Sequence, residues 1–241
     1  MLSGFWREHG VLKGVAKEND MFEIKGIKKS YGKKEVLSGV SFEIAPKEIV
    51  GVLGANGSGK STLLSVLAGL QPPNGGFFSM DGKDLLKNNK LRNQQVSYVP
   101  QDNPLIEELT AYDNLRMWMS ADKIKRELKN GVLKVLGIDT FLKVPVAKMS
   151  GGMKKRLSIA CAMNSSPGLM LLDEPTAAID LVCRDSIYNY FEDFLSGGGA
   201  ILLATHELQE IELCDKCYIL KNGKLSEYYY DGDISNLAGR L

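Results

Sequence analysis

A chain of 241 residues with 44% hydrophobic and 24% charged side chains can bury roughly 70 to 75% of its unfolded surface, which describes a globular protein of one domain with room for a subdomain. Thirty basic residues against twenty-nine acidic leave a net charge of +1, no footprint for nucleic acid or an anionic membrane surface. The uncharged run 158–172 is interrupted by Asn164, Ser165, Ser166, Pro167 and Gly168 and falls short of the roughly 20 apolar residues of a membrane span.

In chain order, residues 1–20, MLSGFWREHGVLKGVAKEND, carry charges at Arg7, Glu8, Lys13, Lys17 and Glu18 and lack the continuous apolar core of a signal peptide. They are expected to be a loosely ordered extension or an upstream start ahead of a single domain over 21–241, with cytosolic residence. Residues 21–27, MFEIKGI, and 36–44 read as antiparallel strands separated by a KKSYGKK turn, a small β layer at one edge. EIVGVLG, QVSYV, LMLL, AILLAT and KCYIL follow as short apolar runs, and most gaps between them are long enough for helices. That alternation predicts an α/β fold with a mainly parallel sheet. The unbroken apolar run 169–172 fits a strand buried on both faces. Between about 102 and 166 the pattern turns helical, with helices expected over 110–119, 121–136 and 151–164, so a helical subdomain is inserted into the core. Cys214 and Cys217 have CxxC spacing, but with only His9 and His206 in the chain a zinc site lacks ligands, and the thiols read as buried or incidental.

The stretch GANGSGKST, residues 54–62, follows the apolar run EIVGVL. Gly54, Gly59, Lys60 and Ser61 match GxxxxGK[ST] between a strand and a helix, the context a phosphate loop requires. Gly54, Gly57 and Gly59 let backbone N–H groups turn inward around phosphate oxygens, and the helix starting near Lys60 adds its positive end. Asn56, Ser58 and Thr62 complete the binding segment. Lys60 is expected to reach the β and γ phosphates and Ser61 to offer a hydroxyl to Mg²⁺. A flexible turn would account for the glycines but for neither Lys60 nor Ser61. Further on, LMLLDEPT describes a buried strand delivering Asp173 and Glu174 at its C-terminal end, where α/β sheets place their ligands. Asp173 suits the Mg²⁺ shell and Glu174 suits polarisation of an attacking water. A solvated acidic turn is the plainer explanation of that pair taken alone.

From residue 21 onward the order GANGSGKST, YVPQ, MSGGM, LLDEP, AAID and ATHE resembles the ATP-binding subunit of ABC transporters. The resemblance implies the P-loop ATPase core of that family and two such domains sandwiching two ATP molecules head to tail. The phosphate loop of one then faces Ser150, Gly151, Gly152 and Asp180 of the other, with each subunit paired to itself or to a different one. It further implies that Gln101 senses Mg²⁺ and the attacking water, that His206 contacts the γ-phosphate and positions Glu174, and that Tyr31 stacks on adenine. Glu174, His206, Gln101 and Lys60 form the implied catalytic set; Ser61, Gln101 and Asp173 form the implied Mg²⁺ set. Ser150 and Asp180 are also serviceable helix N-caps.

Two departures stand out. The family's common LSGGQ is MSGGM here, so Met153 replaces a polar residue, and hydrolysis is expected to survive, with a lower rate as the risk. AAID keeps the aspartate of the usual SGLD. The resemblance also implies membrane-spanning permease subunits as partners, a place on the inner face of the cell membrane, and no nucleic-acid partner. DNPLIEELTAYDNLRMW, with Met117, Trp118 and Met119, resembles the region near the membrane-partner surface. The short segment after Leu225 argues against an added regulatory domain of the sugar-importer type and leans the reading towards export. The alternative is a soluble ABC ATPase acting on ribosomes or DNA, although such proteins usually carry two fused ATPase units or a long coiled coil. An unrelated P-loop kinase would follow only if MSGGM were accidental.

Overall fold

The computed structural model describes residues 21–163, 167–177 and 179–240, so the expected extension 1–20 lies outside the described residues. The chain opens with β1 (Phe22–Tyr31) and β2 (Lys34–Ile44), then β3 (Ile49–Leu53), α1 (Lys60–Leu67), β4 (Gly75–Met80), β5 (Lys83–Asp84), α2 (Asn89–Gln95) and β6 (Val96–Val99). The helical region supplies α3 (Ala111–Arg116), α4 (Ala121–Asn130), α5 (Val132–Val135) and α6 (Gly151–Ala162). After it come β7 (Leu169–Asp173), α7 (Leu181–Ser196), β8 (Ala200–Thr205), α8 (Leu208–Glu212), β9 (Lys216–Lys221), β10 (Lys224–Tyr228) and α9 (Ile234–Arg240).

Two sheets result, a four-stranded one in the order β2-β1-β4-β5 and a six-stranded one in the order β10-β9-β3-β8-β7-β6. The first is antiparallel throughout. In the second β9, β3, β8, β7 and β6 run parallel and β10 alone is antiparallel. The expected α/β fold with a mainly parallel sheet and an N-terminal antiparallel layer is therefore present.

Every residue of β3, β7 and β8 is buried, as apolar runs covered on both faces demand. Alternation of side chains along each strand divides them between two cores. Leu169, Leu171, Leu202 and Val52 pack with α1 and the antiparallel layer, against Phe22, Ile24, Leu64 and Phe78. Met170, Leu172, Ile201 and Leu203 face the helical side, among Leu115, Leu157, Ile187 and Phe191. Each such side chain contributes about 1.5–3 kcal/mol, so the sheet is the shared wall of both cores.

Three sequence expectations change in detail. The KKSYGKK segment is mostly strand, because β1 and β2 extend inward to a two-residue turn at Gly32 and Lys33, and Tyr31 ends β1 instead of sitting in a loop. Residues 121–136 are two helices: Gly131 turns extended and Glu127 Oε2 accepts the Val132 amide at 3.0 Å, ending α4 and capping α5. Helix α3 is shorter than 110–119, since Thr110 and Asp113 form a capping box that starts it at Ala111. Asn164 lies outside the described residues, and α6 ends at Ala162.

Candidate nucleotide site

In a parallel sheet all C-terminal strand ends share one edge, and here four neighbours in the order β3-β8-β7-β6 deliver the predicted groups to it. The 54–59 loop leaves β3, His206 follows β8, Asp173 ends β7 with Glu174 next, and Gln101 lies two residues past β6. Segments more than a hundred residues apart in sequence thus meet at one edge.

The loop is built for close approach. A Cβ on Gly54 would fall 2.6 Å from Ser58 Oγ and 2.7 Å from the Leu220 carbonyl oxygen. Gly57 and Gly59 take φ of +79° and +112°, conformations that cost a side-chain-bearing residue dearly. Gly59 caps α1 without a side-chain hydrogen bond, and no acid occupies the first turn of α1, so its first N–H groups can donate to an anion. Ser58 Oγ is buried and has no partner among the described residues. Lys60 is 5% exposed; its ammonium donates to the Gly54 carbonyl at 2.6 Å and to that of Ala55 at 3.4 Å. Burial pushes its pKa down while the Glu174 and Asp173 carboxylates pull it up. An open amide cradle, an unsatisfied hydroxyl and a buried cation fit a polyphosphate.

Across the edge, Asp173 is buried, and its pKa is raised by that burial and by Glu174, against hydrogen bonds from Ser61 and Tyr98. Its carboxylate and the Ser61 hydroxyl are oxygen donors of the kind Mg²⁺ prefers. Tyr98 donates to Asp173 Oδ2 at 3.5 Å, and burial pushes its phenol up to about 12. Glu174 takes φ of +47°, a strained conformation for a residue with a side chain. Its amide donates to the Ala204 carbonyl at 2.9 Å, which holds that backbone against β8. Both carboxylate oxygens are engaged: Gln101 Nε2 donates to Oε2 at 2.9 Å, and His206 Nδ1 lies 3.0 Å from Oε1. The structure therefore brings Gln101, Glu174 and His206 into direct contact.

Ser150, Gly151, Gly152 and Asp180 form a second group where α6 and α7 begin. Ser150 Oγ accepts the Met153 amide at 3.2 Å and Asp180 Oδ1 accepts the Cys183 amide at 3.0 Å, so both are helix caps. A Cβ on Gly152 would lie 2.5 Å from Cys183 Sγ, which explains a glycine where the two helices touch. Gly151 has open space around it, and Leu181 and Val182 beside Asp180 are 68% and 76% exposed. Met153 packs against the helical-side core, so an apolar residue has a place there. Tyr31 is 46% exposed; its hydroxyl donates to Gln71 and the Lys29 ammonium lies 5.2 Å from its ring centroid.

Two supporting residues had no sequence signal. Glu210, fully buried on α8, accepts from the Thr176 amide at 3.0 Å and from the Thr176 hydroxyl, pinning the loop after Glu174. Burial raises its pKa, opposed by those bonds. Lys155 on α6 is 4% exposed and bonds the carbonyls of Pro100 and Gln101. Its pKa is lowered by burial, against the pull of Asp173, Asp102, Glu210 and Glu174.

A strand, a glycine loop with a buried lysine, and two acids at the end of the next strand but one define a P-loop nucleotide-binding protein. The sequence model of the ABC transporter family matches residues 37–177, and the chain belongs to that family. It is 36% identical over 214 residues to a Nod factor export ATP-binding protein of Sinorhizobium fredii, covering 87% of this chain and 62% of the relative. The chain therefore spans less than two thirds of that relative's length. A linearmycin resistance ATP-binding protein of Bacillus subtilis is 34% identical, covering 92% and 72%. A lantibiotic transport ATP-binding protein of Streptococcus pyogenes is 32% identical, covering 88% and 92%. Among solved structures, the ATP-binding subunit of an ABC transporter superposes with a TM-score of 0.78 at 30% identity, covering 91% of this chain and 94% of that one. A dimeric ATP-binding cassette in a post-hydrolysis state with ADP and Pi gives 0.77 at 27% identity, covering 86% and 97%.

Proposed function

We propose that this chain is the ATPase subunit of a transporter: ATP closes a head-to-tail dimer, hydrolysis reopens it, and separate membrane-spanning subunits use the movement. The observation that carries the reading is Glu174 held between Gln101 and His206 at 2.9 and 3.0 Å. In this reading the phosphate-loop amides and Lys60 hold the β and γ phosphates, and Tyr31 lies against adenine. Glu174 accepts a proton from the attacking water, Gln101 orients that water, and His206 fixes the carboxylate and contacts the γ-phosphate. Ser61 and Asp173 would hold Mg²⁺, with Gln101 at its edge, and the ion would neutralise charge on the phosphates. Ser150, Gly151, Gly152 and Asp180 close the site of the second subunit, which is either another copy or a different chain.

A relative named for export of Nod factor supports outward movement of substrate, and one named for transport of a lantibiotic supports a role in transport. No helix among the described residues is long and apolar enough to cross a membrane, so in this reading the chain sits on the inner face of the membrane through its partners, without nucleic acid. Exposed Met117 and Trp118, at 56% and 57%, are offered to that partner. The test is Glu174→Gln. Phosphate release should fall by about 100-fold or more while ATP stays bound, and undiminished release would contradict the assignment of Glu174.

A further inference from the structure

One buried charge has no task in the reading above. Lys155 lies on α6, five residues past its cap Ser150. Its ammonium donates to the Pro100 carbonyl at 3.0 Å and the Gln101 carbonyl at 2.9 Å. Taking an ammonium out of water is unfavourable unless hydrogen bonds replace the lost hydration, and two main-chain carbonyls supply them. The neighbouring Lys154 is the contrast: it pairs with exposed Glu107 at 2.9 Å on the surface.

The carbonyls that Lys155 binds lie just past the end of β6. The register of β6 with β7 stops at Val99 and Leu172, so the sheet no longer holds the main chain at 100 and 101. Gln101 is gripped at two points instead, by Lys155 at its carbonyl and by Glu174 Oε2 at its side-chain amide, 2.9 Å away. An unbroken path runs from Ser150 at the start of α6, through Lys155, to the carboxylate of Glu174.

We propose that Lys155 is a positioning residue for ATP hydrolysis, fixing the main chain at Gln101 so that its amide meets Glu174 and so that this placement follows α6. The inference rests on the roles given above to Gln101 and Glu174. It makes the α6 helix the lever: whatever engages Ser150 and Gly151 also moves Lys155, a little over one turn further along, and Gln101 with it. Contact from a second subunit is then felt at Glu174 without any contact to Glu174.

The experiment measures ATP turnover and equilibrium ATP binding by the purified full chain, alone and in a double-mutant cycle. Lys155→Met should lower kcat about tenfold or more with KM within about twofold of the unaltered protein. Gln101→Ala should do much the same, and the double variant should be no slower than Gln101→Ala, because both changes remove one placement. Lys154→Met should leave turnover unchanged, and Lys155→Gln, which keeps a donor, should recover part of the rate. If Lys155→Met fails to fold, Lys155→Gln takes its place in the cycle. Losses that multiply in the double variant, or a Lys155 variant with unaltered kcat, would overturn the inference alone. An unaltered protein that binds ATP and never hydrolyses it would overturn the parent reading, and this inference with it.

Discussion

At Gly51, in the middle of β3, a Cβ would lie 2.7 Å from Cys214 Sγ and 3.3 Å from Cys217 Sγ. The two thiols fill the space a side chain would take, which gives the CxxC pair a packing task behind the phosphate loop. Gly51→Ala should cost about 1–3 kcal/mol through overpacking, visible as a lowered Tm, and an unchanged Tm would contradict this packing. Met153 has a similarly local account: its side chain joins the helical-side core, so Met153→Gln should hydrolyse ATP at least as fast as the parent. A sharp loss of phosphate release in that variant would show that methionine is required there. At this scale the sequence was most legible where chemistry is local. Gly54, Gly59, Lys60 and Ser61 lie within eight consecutive residues, and their spacing alone states a phosphate loop. Lys155 and Glu210 were invisible because their partners lie 54 and 34 residues away, and nothing in a lysine or glutamate on a helix announces a distant backbone. The strained φ of Glu174 was equally hidden, since its amide bonds Ala204 on β8, a partner that the local sequence does not name.

Among the elements, α3 depends on a buried asparagine. Asn114 is 3% exposed; its amide donates to the carbonyls of Ile106 and Thr110 at 3.1 and 3.0 Å and accepts from the Ile106 amide at 2.9 Å. Asn114→Ala removes three bonds and strands partly buried backbone groups, so denaturant unfolding should report a loss of about 2–3 kcal/mol. A loss below about 0.5 kcal/mol would mean that water replaces the side chain. The apolar runs of β3, β7 and β8 were readable because strands covered on both faces carry little else. The helical region was readable in type but not in bounds: Gly131 and the Thr110 capping box set the ends of helices that apolar spacing alone runs together. The β1 strand was misjudged at its C-terminal end, where Lys28, Lys29 and Ser30 look like a turn yet pair across to β2. Asp180, readable as a helix N-cap, does cap one, the 16-residue α7, whose length its sequence does not mark.

For the molecule as a whole, function follows from strand order. Placing β8 between β3 and β7 sets the phosphate loop, His206 and Glu174 along one edge, and placing β6 beyond β7 adds Gln101. The sequence predicted a parallel sheet but not this order, because pairings such as Ile49 with Ile201 span most of the chain. The order of its motifs, read as a family resemblance, carried what periodicity could not. In the proposed reading, the exposed caps of α6 and α7 and the half-exposed His206 are where a second subunit would complete the site, and a membrane partner would complete the assembly. The direct test is to tag Glu174→Gln, solubilise native membranes in mild detergent, and identify what is recovered with and without ATP and Mg²⁺. The account predicts a polytopic membrane protein that stays with the trapped, ATP-bound subunit. Recovery of ribosomes or nucleic acid with no membrane protein would contradict it.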